Sequence, residues 1–472
     1  MSRFVAFAGV VACTLALGGA VSPARSSTSV PYYYDVVELH WGNYWHAVPT
    51  GINGSGDVAG WGEKATNDGN DHAIRWHNGQ GTDLGPIASS EFPTYRAKAI
   101  NNAGQVAGAS TFGLYAAEHA TLWNNGNRKD LEPGSGFEVE SGGNAINNSG
   151  VVAGYRRASG SVHATTWQGT ARTDLGALAG GASEAYGIND RGEVVGRTDV
   201  TVANYRAFLW QKSQSGAGGH MIDLGTLPGD VGAEAYAINS RSQVVGESVA
   251  ADRTTRAVLW EKLVVHQLQA IAQPSDADAV NSTTQVVGTF LAATPQRCHV
   301  VPEGFDCVRH HHAFLWQNGV MSDLRKLVSP TYPWPFATFG VGINDRGQII
   351  VQGVTLEASP VDGNMYYRDH ALLLTPRVHL VALTIVPATV QGGHAALGVA
   401  TLNAPAPPGG ATVPLSSTFT GNVASPPGLV VVPAGQEARS FAIPTVVKAR
   451  GSGTVTASYG GTTKTAPLTV VP

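Results

Sequence analysis

The chain has 472 residues, of which 14% are charged and 58 are glycine, and a formal net charge of −4. That length suffices for more than one buried core, and the glycine-rich, charge-poor balance suits turn-rich β structure rather than a helical or disordered chain. A charge this close to neutral argues neither for nucleic acid nor for an anionic membrane surface as partner, so no nucleic-acid partner is expected.

In chain order, Met1–Ala24 reads as a secretory signal. Arg3 supplies a positive start, Phe4–Leu17 is almost unbroken apolar sequence, and small residues follow at Gly18-Gly19-Ala20 and Ser22-Pro23-Ala24. The run is short for a bilayer span of about 20 residues. Val10-Val11-Ala12-Cys13 sits inside the run instead of after it, which argues against lipidation. The expected location is extracellular, secreted or at the cell surface, with no membrane insertion once the signal is removed.

The middle of the chain repeats itself. An Ile-Asn or Val-Asn step recurs at Asn53, Asn101, Asn147, Asn189, Asn239, Asn281 and Asn344, at intervals of 48, 46, 42, 50, 42 and 63 residues. Such a period marks one supersecondary unit being stacked. In the fourth copy, two β-prone runs flank Asn189-Asp-Arg-Gly192, a tight turn in which Gly accepts positive φ. Ser242 and Thr284 take the Gly position in the fifth and sixth copies, where strain or another turn type is expected.

A third run follows in each copy: His72-Ala-Ile-Arg-Trp76, His119-Ala-Thr-Leu-Trp123, His163-Ala-Thr-Thr-Trp167, Arg206-Ala-Phe-Leu-Trp210, Arg256-Ala-Val-Leu-Trp260, His312-Ala-Phe-Leu-Trp316 and His370-Ala-Leu-Leu-Leu374. A fourth ends in Asp-Leu at Asp83, Asp130, Asp174, Asp223 and Asp323, with Gln267-Leu268 in the fifth copy. Each copy is thus expected to be four short strands. The Trp should pack between neighbouring sheets. The repeated His or Arg should satisfy backbone groups between units, and the Asp should serve a turn or strand end.

These motifs resemble the bacterial extracellular HAF-repeat family, with the His-Ala-Phe triplet complete at His312-Ala313-Phe314; the resemblance runs from about Tyr34 to Leu374. It implies an exported β-repeat protein and no particular activity.

The ends of the array decide its shape. Tyr33–Leu39 matches a fourth strand, with Glu38-Leu39 in the Asp-Leu place, while the seventh copy stops after its third strand at Pro376. Pairing the two removes both exposed edges. The expected fold is all-β: a seven-bladed β-propeller of four-stranded blades over 32–376, closed by the N-terminal strand. After Pro376, short runs at Leu383–Pro387, Val413–Ser417, Leu429–Pro433, Ser440–Ile443, Gly453–Tyr459 and Thr465–Val470 read as a β-sandwich over 380–472. This segment resembles bacterial immunoglobulin-like modules, notably in Leu402-Asn-Ala-Pro-Ala-Pro-Pro-Gly-Gly and Val455-Thr-Ala-Ser-Tyr-Gly-Gly, and lacks cysteine.

Function is expected where the repeat is interrupted. The long connections His40–His46, Thr289–His311, Arg325–Gly340 and Thr355–Asp369 all fall opposite the tight Asn turns and meet where the seventh and first units adjoin. They carry the candidate ligand-binding aromatics Trp41, Tyr44, Trp45, Tyr332, Trp334, Phe336, Tyr366 and Tyr367. The expected role is non-enzymatic binding or adhesion to an extracellular glycan or surface protein. The rivals are a polysaccharide lyase or glycosidase using Glu303, Asp306, Glu357, Asp362 or Asp369, and a spacer whose aromatics only pack the loops. No catalytic motif, cofactor or metal site is expected; Asp68-Gly-Asn-Asp71 is too short for calcium. Cys298 and Cys307, nine apart, are expected to form a disulfide rather than to join His299, His310, His311 and His312 at a metal.

Overall fold

The structure, a computed structural model, describes residues 34–472 apart from 43, 65–69, 89–92, 113–116, 136–137, 202–203, 214–217, 270–273, 293–296, 302–303, 309, 330–331, 336, 359–364, 407–409, 434 and 461. The expected signal segment, 1–24, lies outside the described residues. Among them there is no α-helix, only the 3-10 turns Leu178–Gly180 and Leu324–Lys326.

The repeats form seven four-stranded antiparallel sheets. The first runs Tyr44–Ile52, Val58–Lys64, Asp71–His77 and Gln80–Asp83 in order, and the next five follow the same plan. The sixth carries an added hairpin, Arg297–Val301 with Gly304–Val308. The seventh has Ala337–Ile343, Ile349–Ala358 and Met365–Pro376, and its fourth strand is Tyr34–Glu38 from the other end of the repeat array. Val36 lies opposite Leu374 and Glu38 opposite Leu372, so the early segment supplies the edge that the last copy lacks.

Each repeat Asn organises its turn twice over. Asn53 Oδ1 accepts from the Ser55 and Asp57 amides at 2.9 Å each, and the other six copies repeat the pattern. Asn53 Nδ2 then donates to the carbonyl of Asn101 in the next sheet at 3.1 Å. The same bond runs on from Asn101, Asn147, Asn189, Asn239 and Asn281, and Asn344 donates back to Asn53. The first strands of the seven sheets likewise touch in sequence, and the seventh touches the first.

The Ser242 and Thr284 turns are of the same type as the glycine turns. Their φ values are +59° and +65°, beside +75° at Gly192. The left-handed conformation costs a residue with a Cβ about 1–2 kcal/mol. Both hydroxyls recover hydrogen bonds to the preceding sheet, Ser242 to Glu193 and Thr284 Oγ1 to Gln243 Oε1 at 2.9 Å.

Neighbouring sheets pack through the Trp positions. Trp123 of the second sheet packs with Ala59 and Ala73 of the first, and Trp167 of the third with Ala107 and Ala120 of the second. Small residues on one sheet receive the indole of the next, and truncating such a Trp to Ala costs about 3–5 kcal/mol. Its Nε1–H reaches back too: Trp123 donates to Gly85 O at 2.8 Å and Trp316 to Leu268 O at 2.9 Å.

The repeated His or Arg behaves differently from the expectation. It bonds a carboxylate, and Arg206 alongside this also meets the expectation, donating to Val231 O at the start of the next unit at 2.7 Å. His72 pairs with Asp83 at 2.8 Å, His163 with Asp174 at 2.9 Å and His312 with Asp323 at 2.9 Å, each across eleven residues between third and fourth strands. The fifth sheet, with Gln267 in the acid's place, pairs Arg256 with Asp230 from the preceding connection. The other oxygen of the strand-end Asp accepts an amide two residues on, as Asp83 does from Gly85 at 2.9 Å. One side chain thus ends the strand and holds the base of the third strand, because both groups lie on the same face of adjacent antiparallel strands.

Residues 380–472 form two sheets around a shared core. Leu380–Val386, Ala396–Leu402 and Ala438–Ile443 make one; Thr389–Gln391, Thr462–Val471, Gly451–Tyr459, Ala411–Ser417 and Leu429–Val432 make the other. Leu402, Val413, Val432, Ile443, Val455 and Leu468 are buried between them. Alternation is plain in Ala411–Ser417, where every second residue from Ala411 to Leu415 is buried.

Candidate functional site

Strands of the seventh sheet and the first strand of the first sheet bring a polar network together; the expected connection Thr355–Asp369 is largely strand, in Ile349–Ala358 and Met365–Pro376. His370 is its centre, with Nδ1 2.7 Å from Glu38 Oε1 and Nε2 2.6 Å from Thr355 Oγ1 and 3.2 Å from Glu357 Oε1. Arg368 donates to Glu357 Oε2 at 2.9 Å, and Asp369 is held by Gln352 at 2.8 Å and His46 at 3.2 Å. The hydrogen bond from His370 holds the Glu38 carboxyl below its ordinary range. Burial works to raise Glu357, but hydrogen bonds from Thr355 and Arg368 outweigh it and hold that carboxyl low as well. Both acids are therefore anions at neutral pH.

The predicted aromatics divide. Trp41 is only 7% exposed and packs with Leu39, Val58, Ile74 and Trp76 in the core of the first sheet. Trp334 packs against the core shared by the sixth and seventh sheets and meets Tyr332 edge-on at 6.1 Å. Tyr332 lies close enough to Glu38 that, after burial, this charge helps to raise its hydroxyl pKa. Tyr366 is 38% exposed, on the long third strand of the seventh sheet, opposite Glu357. Tyr367, its half-buried neighbour, lies opposite Leu356. Tyr44 and Trp45 belong to the first strand of the first sheet, but their side chains, like Phe336, Glu303 and Asp362, lie outside the described residues. Asp306 pairs with His299, and Cys298 with Cys307, in backbone register of the added hairpin; those side chains are also outside the description.

A second constellation was not singled out from the sequence. The third residue before each Asn is bulged out of its pairing: Thr50, Lys98, Asn144, Tyr186, Tyr236, Asp278 and Val341. Glycine on the second strand permits the bulge; a Cβ on Gly196 would stand 2.0 Å from Glu184 O. The bulged residues reach solvent, while the residue before each is buried. They converge across sheets. Lys98 of the second sheet senses Glu184 of the fourth, and the Tyr186 and Tyr236 rings lie 6.0 Å apart.

The acids concentrate on the fifth and sixth sheets. Burial, then Glu234 and Asp276, push the Glu247 carboxyl up to about 8. Burial raises Glu234, Asp276 and Asp278 in the same direction. Arg197 answers them, donating to Glu234 Oε1 at 3.1 Å and lying 4.5 Å over the Tyr205 ring. Protonated carboxyls and tyrosine hydroxyls here can both donate and accept hydrogen bonds. A readable signal existed: the residue three before Asn changes chemistry from copy to copy between constant small neighbours.

Among the described residues no group of three or more His, Cys, Asp or Glu is placed to hold a metal ion, and no helix is long and apolar enough to cross a membrane. No family model matches the chain, and no curated protein matches it. Among solved structures, the chain is similar to the D00-D0 domain of Intimin at 13% identity, over 27% of this chain and 64% of that one, with a TM-score of 0.18. It is similar to the D0-D1 domain of Intimin at 7% identity, over 42% and 96%, with a TM-score of 0.17. An arginine-to-alanine triple mutant of AofleA from Arthrobotrys oligospora is similar at 12% identity, over 72% and 86%, with a TM-score of 0.31. Likenesses this distant carry no functional conclusion.

Proposed function

We propose that the chain is an exported, HAF-repeat-like seven-bladed propeller followed by an immunoglobulin-like sandwich, and that it is a non-enzymatic binding or adhesion protein. The junction of the seventh and first sheets, in this reading, presents Tyr366, Tyr332 and the edge of Trp334 to an extracellular glycan or surface protein. What supports binding over hydrolysis is the state of the carboxylates there. A glycosidase keeps one carboxyl protonated to release the leaving group, whereas Glu38 and Glu357 are both held low by their partners. Asp369 is engaged by His46 and Gln352.

The test is a glycan and matrix-protein array with the signal-free protein, repeated with a Tyr332→Ala/Tyr366→Ala double variant. Trp41 is left intact because it packs in a core. Binding should vanish in the variant while its thermal midpoint shifts little. Equal binding by the variant, or turnover of an arrayed polysaccharide, would overturn the reading.

A further inference from the structure

A cleft of about 390 Å³ opens between the first and second sheets and shares no lining residue with the junction just discussed. The third and fourth strands of the first sheet bound it on one side, and the Trp123–Arg128 turn of the second bounds it on the other. Its size falls within the range of small-molecule sites. Leu84, Val106 and Trp123 supply its apolar lining, and Asn124, Asn125 and Asn127 supply amides.

The cleft coincides with a departure from the repeat. The residue before the Trp position is Leu in five of the other six sheets and Thr166 in the third; here it is Arg75. Four residues after the repeat Asn, most sheets have Gln or Glu, whose side chain accepts from that Asn, as Gln105 does from Asn101 at 2.7 Å. The first sheet has the shorter Asp57, which is turned instead to Arg75 and His77, at 2.7 Å each. Asp57 is 6% exposed. The Leu used beside most Trp positions has thus given way to an anchored guanidinium, with an imidazole beside it, at this one interface.

Charge accounting within the cleft leaves one cation over. Asp57 answers Arg75 and also holds His77, and Asp83 is engaged by His72, Tyr95 and, at 3.7 Å, the ammonium of Lys64. Arg128 donates from Nε to Leu84 O at 2.8 Å and from Nη1 to Pro86 O at 3.4 Å. No carboxylate pairs with it among the described residues, and its Nη2 has no hydrogen bond among them. Two backbone carbonyls therefore orient a guanidinium whose outer edge can take a carboxylate. A single unpaired cation flanked by amides and apolar side chains matches one class of ligand well: a sugar ring that carries a carboxylate.

We propose that this cleft binds a uronate residue of an acidic polysaccharide. The carboxylate sits on Arg128, and the ring hydroxyls meet the Asn amides and Arg75. This site is separate from the aromatic junction and does not depend on it.

The experiment is calorimetric titration of the signal-free protein with oligogalacturonate and with its methyl-esterified, uncharged form. The charged oligomer should bind, the ester at least about tenfold more weakly, as expected for loss of one charge-assisted contact. Two variants follow. Asp57→Gln with Arg75→Leu restores residues that other sheets use, so folding should survive while affinity falls about tenfold or more. Arg128→Gln, at an exposed position, should do the same. No binding of oligogalacturonate at millimolar concentration, equal binding of the ester, or unchanged affinity in Arg128→Gln would each overturn the proposal. The Tyr332→Ala/Tyr366→Ala variant should keep this affinity, which separates the two sites.

Discussion

The side-chain amide of Asn344 donates to the backbone carbonyl of Asn53, 3.0 Å away and 291 positions earlier in the chain. Six like bonds join the intervening repeats, so the last one completes a cycle of seven. Each Asn is 3–5% exposed and bonds backbone partners on both sides of its amide group, and Asn344 also donates to Gln348, four positions on.

Asn344→Ala removes that bond and also strips the Arg346 and Gln348 amides of their acceptor. A loss of about 2–3 kcal/mol is expected, since buried donors are left unmade. Asp345→Ala, on the exposed part of the same turn, should cost less than about 1 kcal/mol. Thermal or denaturant unfolding of the two variants checks the contrast.

Deleting residues 34–38 uncovers the third strand of the seventh sheet along its Glu38-to-Leu372 register. An unpaired edge of that length invites pairing with another chain. The truncated protein is expected to form oligomers or aggregates in size-exclusion chromatography where the full-length protein does not. A truncated protein that stays monomeric and equally stable would show that the closing strand is dispensable.

The buried acids of the fifth and sixth sheets predict an unusual pH dependence. Glu247, pushed up to about 8 in the fold, stays protonated at neutral pH, whereas an unfolded Glu titrates near 4.3. The folded state then binds more protons than the unfolded one. Its contribution is complete below about pH 4 and is lost as pH rises through about 8. Thermal midpoints should therefore fall between about pH 5 and 9, and Glu247→Gln should flatten that fall. Glu38 and Glu357 act in the opposite sense, with stability present above their unfolded pKa and lost only as pH falls through their low folded values.

Cys298 stands opposite Cys307 in the added hairpin. Counting outward from Val301 and Gly304, the pair falls at a non-hydrogen-bonded position, where Cα atoms approach to about 4.5 Å, within reach of a disulfide. Peptide mapping without reductant should recover the two cysteines linked. Replacing both by Ser should loosen the hairpin to proteolysis yet shift the global midpoint little, because the hairpin forms a two-stranded sheet of its own. Recovery of free thiols in protein prepared under oxidising conditions would refute the pairing.

Much of this organisation was written in local order. The Asn turns, the four runs per repeat and the orphan strand at Tyr33–Leu39 all rest on spacing and turn chemistry, which a linear pattern carries directly. The spacing of eleven between His72 and Asp83 was in plain view as well. Its meaning was missed because an ion pair across two strands needs a register, and spacing alone does not supply one.

The sequence by itself determined the repeat, its turn and the means of closing the last sheet, since each depends on neighbours along the chain. Only the tertiary structure decided which side chains face one another between sheets. It buried Trp41 in a core when sequence had offered it as a binding surface, set Tyr186 beside Tyr236 with Asp278 near the latter, and set Arg75 and Arg128 on two sides of one cleft. Those outcomes depend on how successive sheets stack, and burial and charge at such contacts come from residues tens or hundreds of positions away.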